Sequence, residues 1–408
     1  MNTTVTPAYL SAEAAAAELG VSMATLYAYV SRGMIRSEPV PGQRRKRYLA
    51  QDVRAVKRGR GPDAGSVGAP VIAPGQPLAW GLPVMDSAIT LIADGGLYYR
   101  GVSAVDLAQG AGLEEVASLL WGVKDDPFDQ SADPYPGLPA LAENLDFAER
   151  AMALLAIAQA SDPAAFTSGT HALAATGGRI VRLLAMIAAR RPWSAAPVHE
   201  VLADAWAPKR IGAARLTRAA LVLLADHELN VSAFTLRCAI SARAPLHSAI
   251  AAALAALQGP RHGGMVTKAG RLIDEIAVDE DPERAIAALK RRLKRGDDLP
   301  GFGHPLYSNG DIRAKTLIDL MDRIMPQDKG LKCARVLIDA VAQASGERPN
   351  IDFSLAILGR ALGFPDGFGV ALFAVARSAG WIAHAIEQSA QPDLIRPRAR
   401  YIGPLPQS

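Results

Sequence analysis

The sequence predicts an all-α protein of more than one domain, on three observations. Alanine and leucine dominate a chain in which 50% of residues are apolar and only 6% aromatic, a balance that favours helices over strands. From Leu78 onward, long Ala/Leu stretches alternate with Gly/Pro turns, as expected of helices packed on helices. The 408 residues exceed one hydrophobic core, which stops growing near roughly 250 to 300 residues. Two or three domains are therefore expected.

The first elements are short. Ser11 is placed to cap a helix over Ala12 to Leu19, Gly20 supplies a turn, and Ser22 caps a second helix through Val30 that Gly33 ends. Two short helices across a glycine turn have the geometry of a helix-turn-helix, whose second helix can lie in a major groove. Met34 to Leu49 follows, with turn residues Pro39, Pro41 and Gly42 and the run Arg44-Arg45-Lys46-Arg47, and a helix from Ala50 to Lys57 closes the unit. Residues 1–60 hold ten Lys and Arg against Glu13, Glu18, Glu38 and Asp52, a net +6, while the whole chain is +4. The basic excess is local, and the rest is slightly acidic.

Roughly residues 7–58 resemble the winged helix-turn-helix of the MerR and excisionase group. The resemblance implies DNA as a partner, with Arg44, Arg45, Lys46 and Arg47 on phosphates and Met23, Ala24, Thr25 and Tyr27 towards the groove. The competing reading is a solvated surface loop on a domain that binds protein or nothing. The predicted domains are this unit (1–58), a Gly/Pro/Ala-rich linker (59–77) and a large body (78–408).

Several classes are disfavoured. Long Ala/Leu stretches such as Leu216 to Glu228 are interrupted by charges, so no membrane span is expected. The start Met1-Asn2-Thr3-Thr4 lacks a secretory pattern, and Cys238 and Cys333 read as reduced residues without motif spacing, so a cytoplasmic location is expected. No ligand spacing suggests a metal, and there is no Walker loop or dinucleotide fingerprint, so no bound cofactor is expected.

Three loops carry acid-base chemistry: Gly259-Pro260-Arg261-His262-Gly263-Gly264, Gly301-Phe302-Gly303-His304 and Pro349-Asn350-Ile351-Asp352-Phe353. Two imidazoles and a carboxylate are the groups needed to move protons in carbonyl chemistry near neutral pH. His262 lies where the helical pattern Ala249 to Leu257 breaks, and Gly263-Gly264 lets a substrate approach the backbone. A lone loop histidine is more often structural; a second one followed by Arg313, with an aspartate beyond Pro349, points to an enzyme.

Together with other motifs, these loops make nearly all of 78–408 resemble a citrate synthase. The motifs run from Leu97-Tyr98-Tyr99-Arg100-Gly101 and Leu119-Leu120-Trp121 through Ala225-Asp226-His227-Glu228-Leu229-Asn230-Val231-Ser232 and the three loops. They end with Phe373-Ala374-Val375-Ala376-Arg377-Ser378 and Arg396-Pro397-Arg398. The resemblance implies a large helical subdomain (78–263 and 361–408) and a small one (264–360) that closes over the site and excludes water. It implies acetyl-CoA as co-substrate, with Asp352 as the base that takes a methyl proton and His262 hydrogen-bonding the thioester oxygen. His304 would polarise or protonate the ketone of oxaloacetate, and the citryl thioester would then be hydrolysed. Arg313, Arg377 and Arg396 would hold the dicarboxylate through planar guanidinium forks, with His227 also in contact. In the family the arginine matching Arg396 reaches into the neighbouring subunit's site, which implies a homodimer.

The chain departs from the commonest pattern at Met265-Val266, Pro305 and Ser308, and the Trp121 to His171 segment is short. Lys290, Arg291, Arg292, Lys294 and Arg295 either replace the missing charge for CoA or form a solvated helix face. The expected function is citrate synthase. A 2-methylcitrate synthase using propionyl-CoA stays open, because one methylene is worth only about 1 to 3 kcal/mol in a pocket; so does a transcriptional regulator whose synthase-like body senses a metabolite. His384 reads as a satisfied helix histidine, and His171, His199 and His247 have no partner motif.

Overall fold

Serine caps begin both N-terminal helices at the positions the sequence predicts. In this computed structural model, which describes residues 9–31, 34–40, 46–57, 85–129, 132–141, 144–259, 262–276, 281–307, 309–398 and 401–404, Ser11 Oγ accepts the Ala14 N–H at 3.1 Å to start α1 (Ala12–Leu19). Gly20 ends α1 in the left-handed region (φ 67°), and Ser22 Oγ accepts the Thr25 N–H at 3.2 Å ahead of α2 (Met23–Ser31). An antiparallel sheet in the order β1-β3-β2 joins β1 (Tyr9–Leu10), β2 (Ser37–Pro39) and β3 (Lys46–Leu49), and α3 (Ala50–Lys57) follows. A small core of Ala15, Ala16, Leu26, Ile35, Tyr48 and Val53 holds these elements. Arg36 clamps Asp52 through Nε and Nη2, both at 2.9 Å, and through its backbone N–H at 2.8 Å. That clamp holds the Asp52 pKa below its usual value against the opposing effect of burial.

The chain divides into two units, Met1–Asp86 and Ser87–Ser408. The second opens with a feature that departs from the all-α expectation: a three-stranded antiparallel sheet of β4 (Thr90–Ala93), β5 (Gly96–Tyr99) and β6 (Val102–Ser103). Ala93 pairs with Gly96 across Asp94 and Gly95, whose φ values of 52° and 75° make the tight turn that joins twisted strands. Tyr99 is buried on this sheet and donates its hydroxyl to Val222 O at 2.9 Å.

The rest of the unit is helical. Its elements are α4 (Ala104–Gly110), α5 (Leu113–Trp121), α6 (Phe147–Ser161), α7 (Thr170–Ala189), α8 (Val198–Trp206), α9 (Ala213–Leu224) and α10 (Val231–Ser241). They continue with α11 (Leu246–Leu257), α12 (Met265–Ile276), α13 (Pro282–Arg295), α14 (Ile312–Ile324), α15 (Lys329–Ser345), α16 (Ile351–Leu362) and α17 (Phe368–Ser389). α17 runs through the core against α5, α7, α9, α10 and α11, and Trp121 Nε1 on α5 donates to Ala379 O at 2.8 Å. α12 to α16 form a second set of mutual contacts, with α16 packed on α12, α14 and α15.

α7 and α17 are long and apolar enough to cross a membrane by length and composition, contrary to the sequence reading. Both are mainly interior: the apolar windows are 72% and 94% buried by protein. A helix apolar on all sides is what a large core requires. At Gly380, α17 presses onto the α9–α10 connection; its N–H donates to Ala225 O at 3.0 Å, and a Cβ there would sit 2.5 Å from that oxygen.

Candidate active site

Each site histidine sits at a helix break whose backbone is tied down by other residues. Gly263 N–H donates to Leu257 O at 2.8 Å, which turns the chain from α11 towards α12 beside His262. The 301–304 and 348–352 segments are zipped together: Asn350 N–H donates to Gly301 O (2.9 Å), Gly303 N–H to Arg348 O (2.8 Å) and Asn350 Nδ2 to Gly303 O (3.0 Å). Gly301 is required in this register, since its φ is 92° and a Cβ would lie 2.9 Å from Phe353 Cβ. Asn350 also caps α16, accepting the Asp352 and Phe353 N–H groups, which sets Asp352 in the first helical turn next to the loop that bears His304.

The histidine tautomers follow from their partners. His304 Nδ1 accepts the Leu306 N–H at 3.1 Å, so the ring proton belongs on Nε2. His262 Nε2 lies 3.0 Å from Ser232 Oγ, which also accepts Trp381 Nε1–H at 3.1 Å and donates to Asn230 Oδ1 at 2.7 Å. Asn230 Oδ1 also accepts the Ser232 and Ala233 N–H groups. His227 Nε2 lies 3.0 Å from Tyr307 Oη, and the His227 and His304 rings are 5.2 Å apart between centroids.

Burial sets the charge states. It pushes His262 down to about 4, with Arg377 adding to the shift, and holds His227 well below its ordinary value, with Arg313 and Arg377 acting in the same direction. Both rings are neutral near pH 7. Asp352 is pushed up to about 7 by desolvation, which outweighs the pull of Arg313 and Arg377. A carboxylate at that value can take up and release a proton near neutrality. Arg313 and Arg377 are each only 2% exposed. Arg313 is gripped by Asp311 through Nε (2.9 Å) and Nη2 (2.8 Å), and Asp311 also accepts the Ile351 N–H at 2.9 Å. Arg377 Nε donates to Leu224 O at 2.8 Å, and Asp226 is the negative charge that acts most strongly on it against the effect of burial.

The arrangement brings His227 into electrostatic reach of His262, His304, Arg313 and Arg377, and the same two arginines act on Asp352. Arg396 is not among them: it is exposed on the tail after α17. Of the residues expected to face DNA, Thr25 ties its hydroxyl to Ser22 (2.9 Å), Tyr27 is 51% exposed, Lys46 is exposed on β3, and Arg47 pairs with Glu38 over the Tyr9 ring. Arg44 and Arg45 lie outside the described residues, as does Ser308.

His384 is the buried helix histidine the sequence suggests, held between Asp226 (3.4 Å) and Arg237 (3.4 Å), and His247, which has no partner motif in the sequence, meets Tyr135 Oη at 2.9 Å. Sequence reasoning passed over Tyr307 and Asp311. Asp311 carried a usable signal, an aspartate that caps a helix two residues before an arginine.

A cleft of about 760 Å³ opens beside the loops, lined by Lys268, Arg271, Arg292, Leu299, Phe302 and Asn350 among others. Arg292 faces it while paired with Glu275. Residues 78–398 match the family model described as citrate synthase, C-terminal domain. The chain belongs to the citrate synthase family. It is 30% identical over 356 residues to citrate synthase 2 of Bacillus subtilis, covering 79% of this chain and 95% of that protein. It is also 30% identical over 345 residues to 2-methylcitrate synthase 2 of Corynebacterium glutamicum, covering 75% and 88%. Among solved structures, citrate synthase from Thermotoga maritima superposes with a TM-score of 0.67 at 28% identity, over 80% of this chain and 96% of that one. The Thermoplasma acidophilum citrate synthase, solved as a ternary complex with carboxymethyl coenzyme A and oxaloacetate, gives the same TM-score, identity and coverage. The acid-base loops of this family member thus lie in a chain whose whole helical body follows the citrate synthase fold.

Proposed function

We propose that the protein is a citrate synthase, joining the methyl carbon of acetyl-CoA to the keto carbon of oxaloacetate and hydrolysing the citryl thioester to citrate and CoA. The observation that carries the reading is the placement of Asp352: Asn350 caps it into the first turn of α16 beside the loop that bears His304, within reach of the buried Arg313 and Arg377, and burial pushes its carboxyl up to about 7. Asp352 takes the methyl proton while His262 hydrogen-bonds the thioester oxygen where negative charge develops. The enol carbon attacks the oxaloacetate ketone, whose oxygen receives a hydrogen bond and then a proton from Nε2 of His304. Arg313 and Arg377 bind the two carboxylates, with His227 beside them, and the cleft next to Gly301, where Lys268, Arg271 and Arg292 stand among Glu275, Asp297, Asp298 and Glu347, accommodates the nucleotide end of the thioester.

In this reading α12 to α16 and the loops between them act as a small subdomain (264–360) closing on the remainder of 78–408. Two copies form a homodimer in which Arg396 enters the partner's site; its exposure within one chain supports that assignment. Propionyl-CoA is the second acyl donor to test, because relatives named for both activities match at equal identity. CoA release from purified protein with oxaloacetate and either thioester is the direct assay. Turnover is expected with at least one donor, and none with either would end the enzyme reading.

The N-terminal unit is proposed as a winged helix-turn-helix that contacts DNA through α2 and the 44–47 run. The serine-capped helix pair, exposed Tyr27 and the three-stranded sheet support this. Retention on duplex DNA should fall steeply between about 50 and 200 mM salt if phosphate contacts drive it; salt-independent retention, or none, would count against DNA.

A further inference from the structure

Tyr307 is only 3% exposed and stands at the centre of the groups assigned to the oxo acid. Its hydroxyl lies 3.0 Å from His227 Nε2, its ring centroid is 5.0 Å from that of His304, and the Arg313 guanidinium carbon is 5.4 Å from the ring centroid. The turn that carries it is tied at both ends: Tyr307 N–H donates to His304 O and Gly310 N–H to Tyr307 O, both at 3.2 Å. The phenol has little freedom to move away.

Building on the citrate synthase reading, the geometry points to Tyr307 as a positioning residue for the oxo acid, its hydroxyl setting the tautomer of His227 and its ring face holding Arg313. Burial pushes the phenol up to about 12 and keeps His227 neutral, so neither partner is charged near pH 7. An imidazole ring nitrogen accepts better than a phenol oxygen. Tyr307 therefore donates to Nε2, and the His227 proton resides on Nδ1. Tyr307 has a second contact. Asp311 takes Nε and Nη2 of Arg313, and the Tyr307 ring limits the guanidinium from another side. Nη1 has no hydrogen-bond partner among the described residues and remains for a substrate carboxylate.

Two substitutions separate the contacts. Tyr307→Phe keeps the ring and removes the hydroxyl; the KM for oxaloacetate should rise about tenfold, the loss of one buried hydrogen bond, with the KM for the acyl-CoA unchanged. Tyr307→Leu also removes the ring and should raise the oxaloacetate KM several-fold further. In the wild-type protein, ¹⁵N histidine spectra should show His227 protonated on Nδ1, and the Phe variant should show a tautomer mixture. An unchanged oxaloacetate KM in a folded Phe variant would overturn the proposal, as would a wild-type His227 protonated on Nε2. The wild-type spectrum decides the tautomer even where a variant fails to fold. Absence of turnover in the wild type would instead defeat the citrate synthase reading.

Discussion

In the N-terminal unit Arg47 meets Glu38 with side chains 44% and 39% exposed, whereas in the synthase unit Arg313 meets Asp311 with 3% and 0% exposed. The chemistry of the two pairs is the same and their surroundings are opposite. Water screens the first pair, so its charges act outward on whatever approaches the surface. Protein encloses the second, so its charges act inward, on the protonation of their neighbours and on a desolvated substrate. The charges of one unit suit long-range attraction, and those of the other suit proton transfer.

The largest effect is expected where the inward field meets the proposed base. Asp352→Asn should lower kcat for CoA release by about 10²- to 10⁴-fold while oxaloacetate binding survives; an unaffected rate would remove Asp352 from that role. In the wild type, kcat/KM for the acyl-CoA should rise with pH and level off above about 7, where Asp352 becomes ionised. The same shift has a stability cost of definite sign. The folded-state pKa is raised, so the folded protein holds a proton that the unfolded chain has lost, and stability falls as pH rises from about 4 through about 7. Asp352→Asn never ionises, and at pH 8 it should be more stable than wild type by on the order of 2 kcal/mol, allowing for solvent screening at a half-buried group. Equal melting temperatures at pH 8 would show that the carboxylate is not desolvated as described.

Next in size is the enclosed pair itself. Asp311→Asn leaves Arg313 buried without its counter-charge and frees the Ile351 N–H, and it should cost about 3 to 5 kcal/mol in denaturant unfolding. A loss under 1 kcal/mol would mean that water reaches Arg313, and the contrast between the two units would collapse.

How far the sequence reveals this organisation depends on the range of the interactions. The N-terminal helices are legible because Ser11, Gly20 and Ser22 act within three or four residues of their own position. The β4–β5 hairpin is equally local: Asp94-Gly95 separates two β-prone runs, but a chain rich in alanine draws attention to helices instead. His262, His304 and Asp352 are marked by their glycine and proline neighbours. Their partners are not, because Ser232 on α10, Tyr307 in the turn before α14 and Asp226 in the α9–α10 connection meet His262, His227 and His384 only where segments distant in sequence pack together. Membrane-like α7 and α17 are misread for a related reason: composition does not say whether an apolar helix is covered by lipid or by protein.

The smallest effect tests the outward-facing side. Glu38 pairs with Arg47 and accepts the Tyr9 hydroxyl at 3.0 Å, all at a largely solvated surface. Glu38→Gln removes a charge but keeps an acceptor for Tyr9, so its stability cost should be under about 1 kcal/mol and should shrink as salt is added. The substitution also releases Arg47 from its only acidic partner among the described residues and raises the net charge of the unit by one. If the surface cations act outward on phosphates, retention on DNA should strengthen, most at low salt, even as the fold is slightly weakened. Weaker retention at unchanged stability would mean that Glu38 holds Arg47 in a productive position, and the outward-facing pair would then be organised by its partner just as Arg313 is by Asp311.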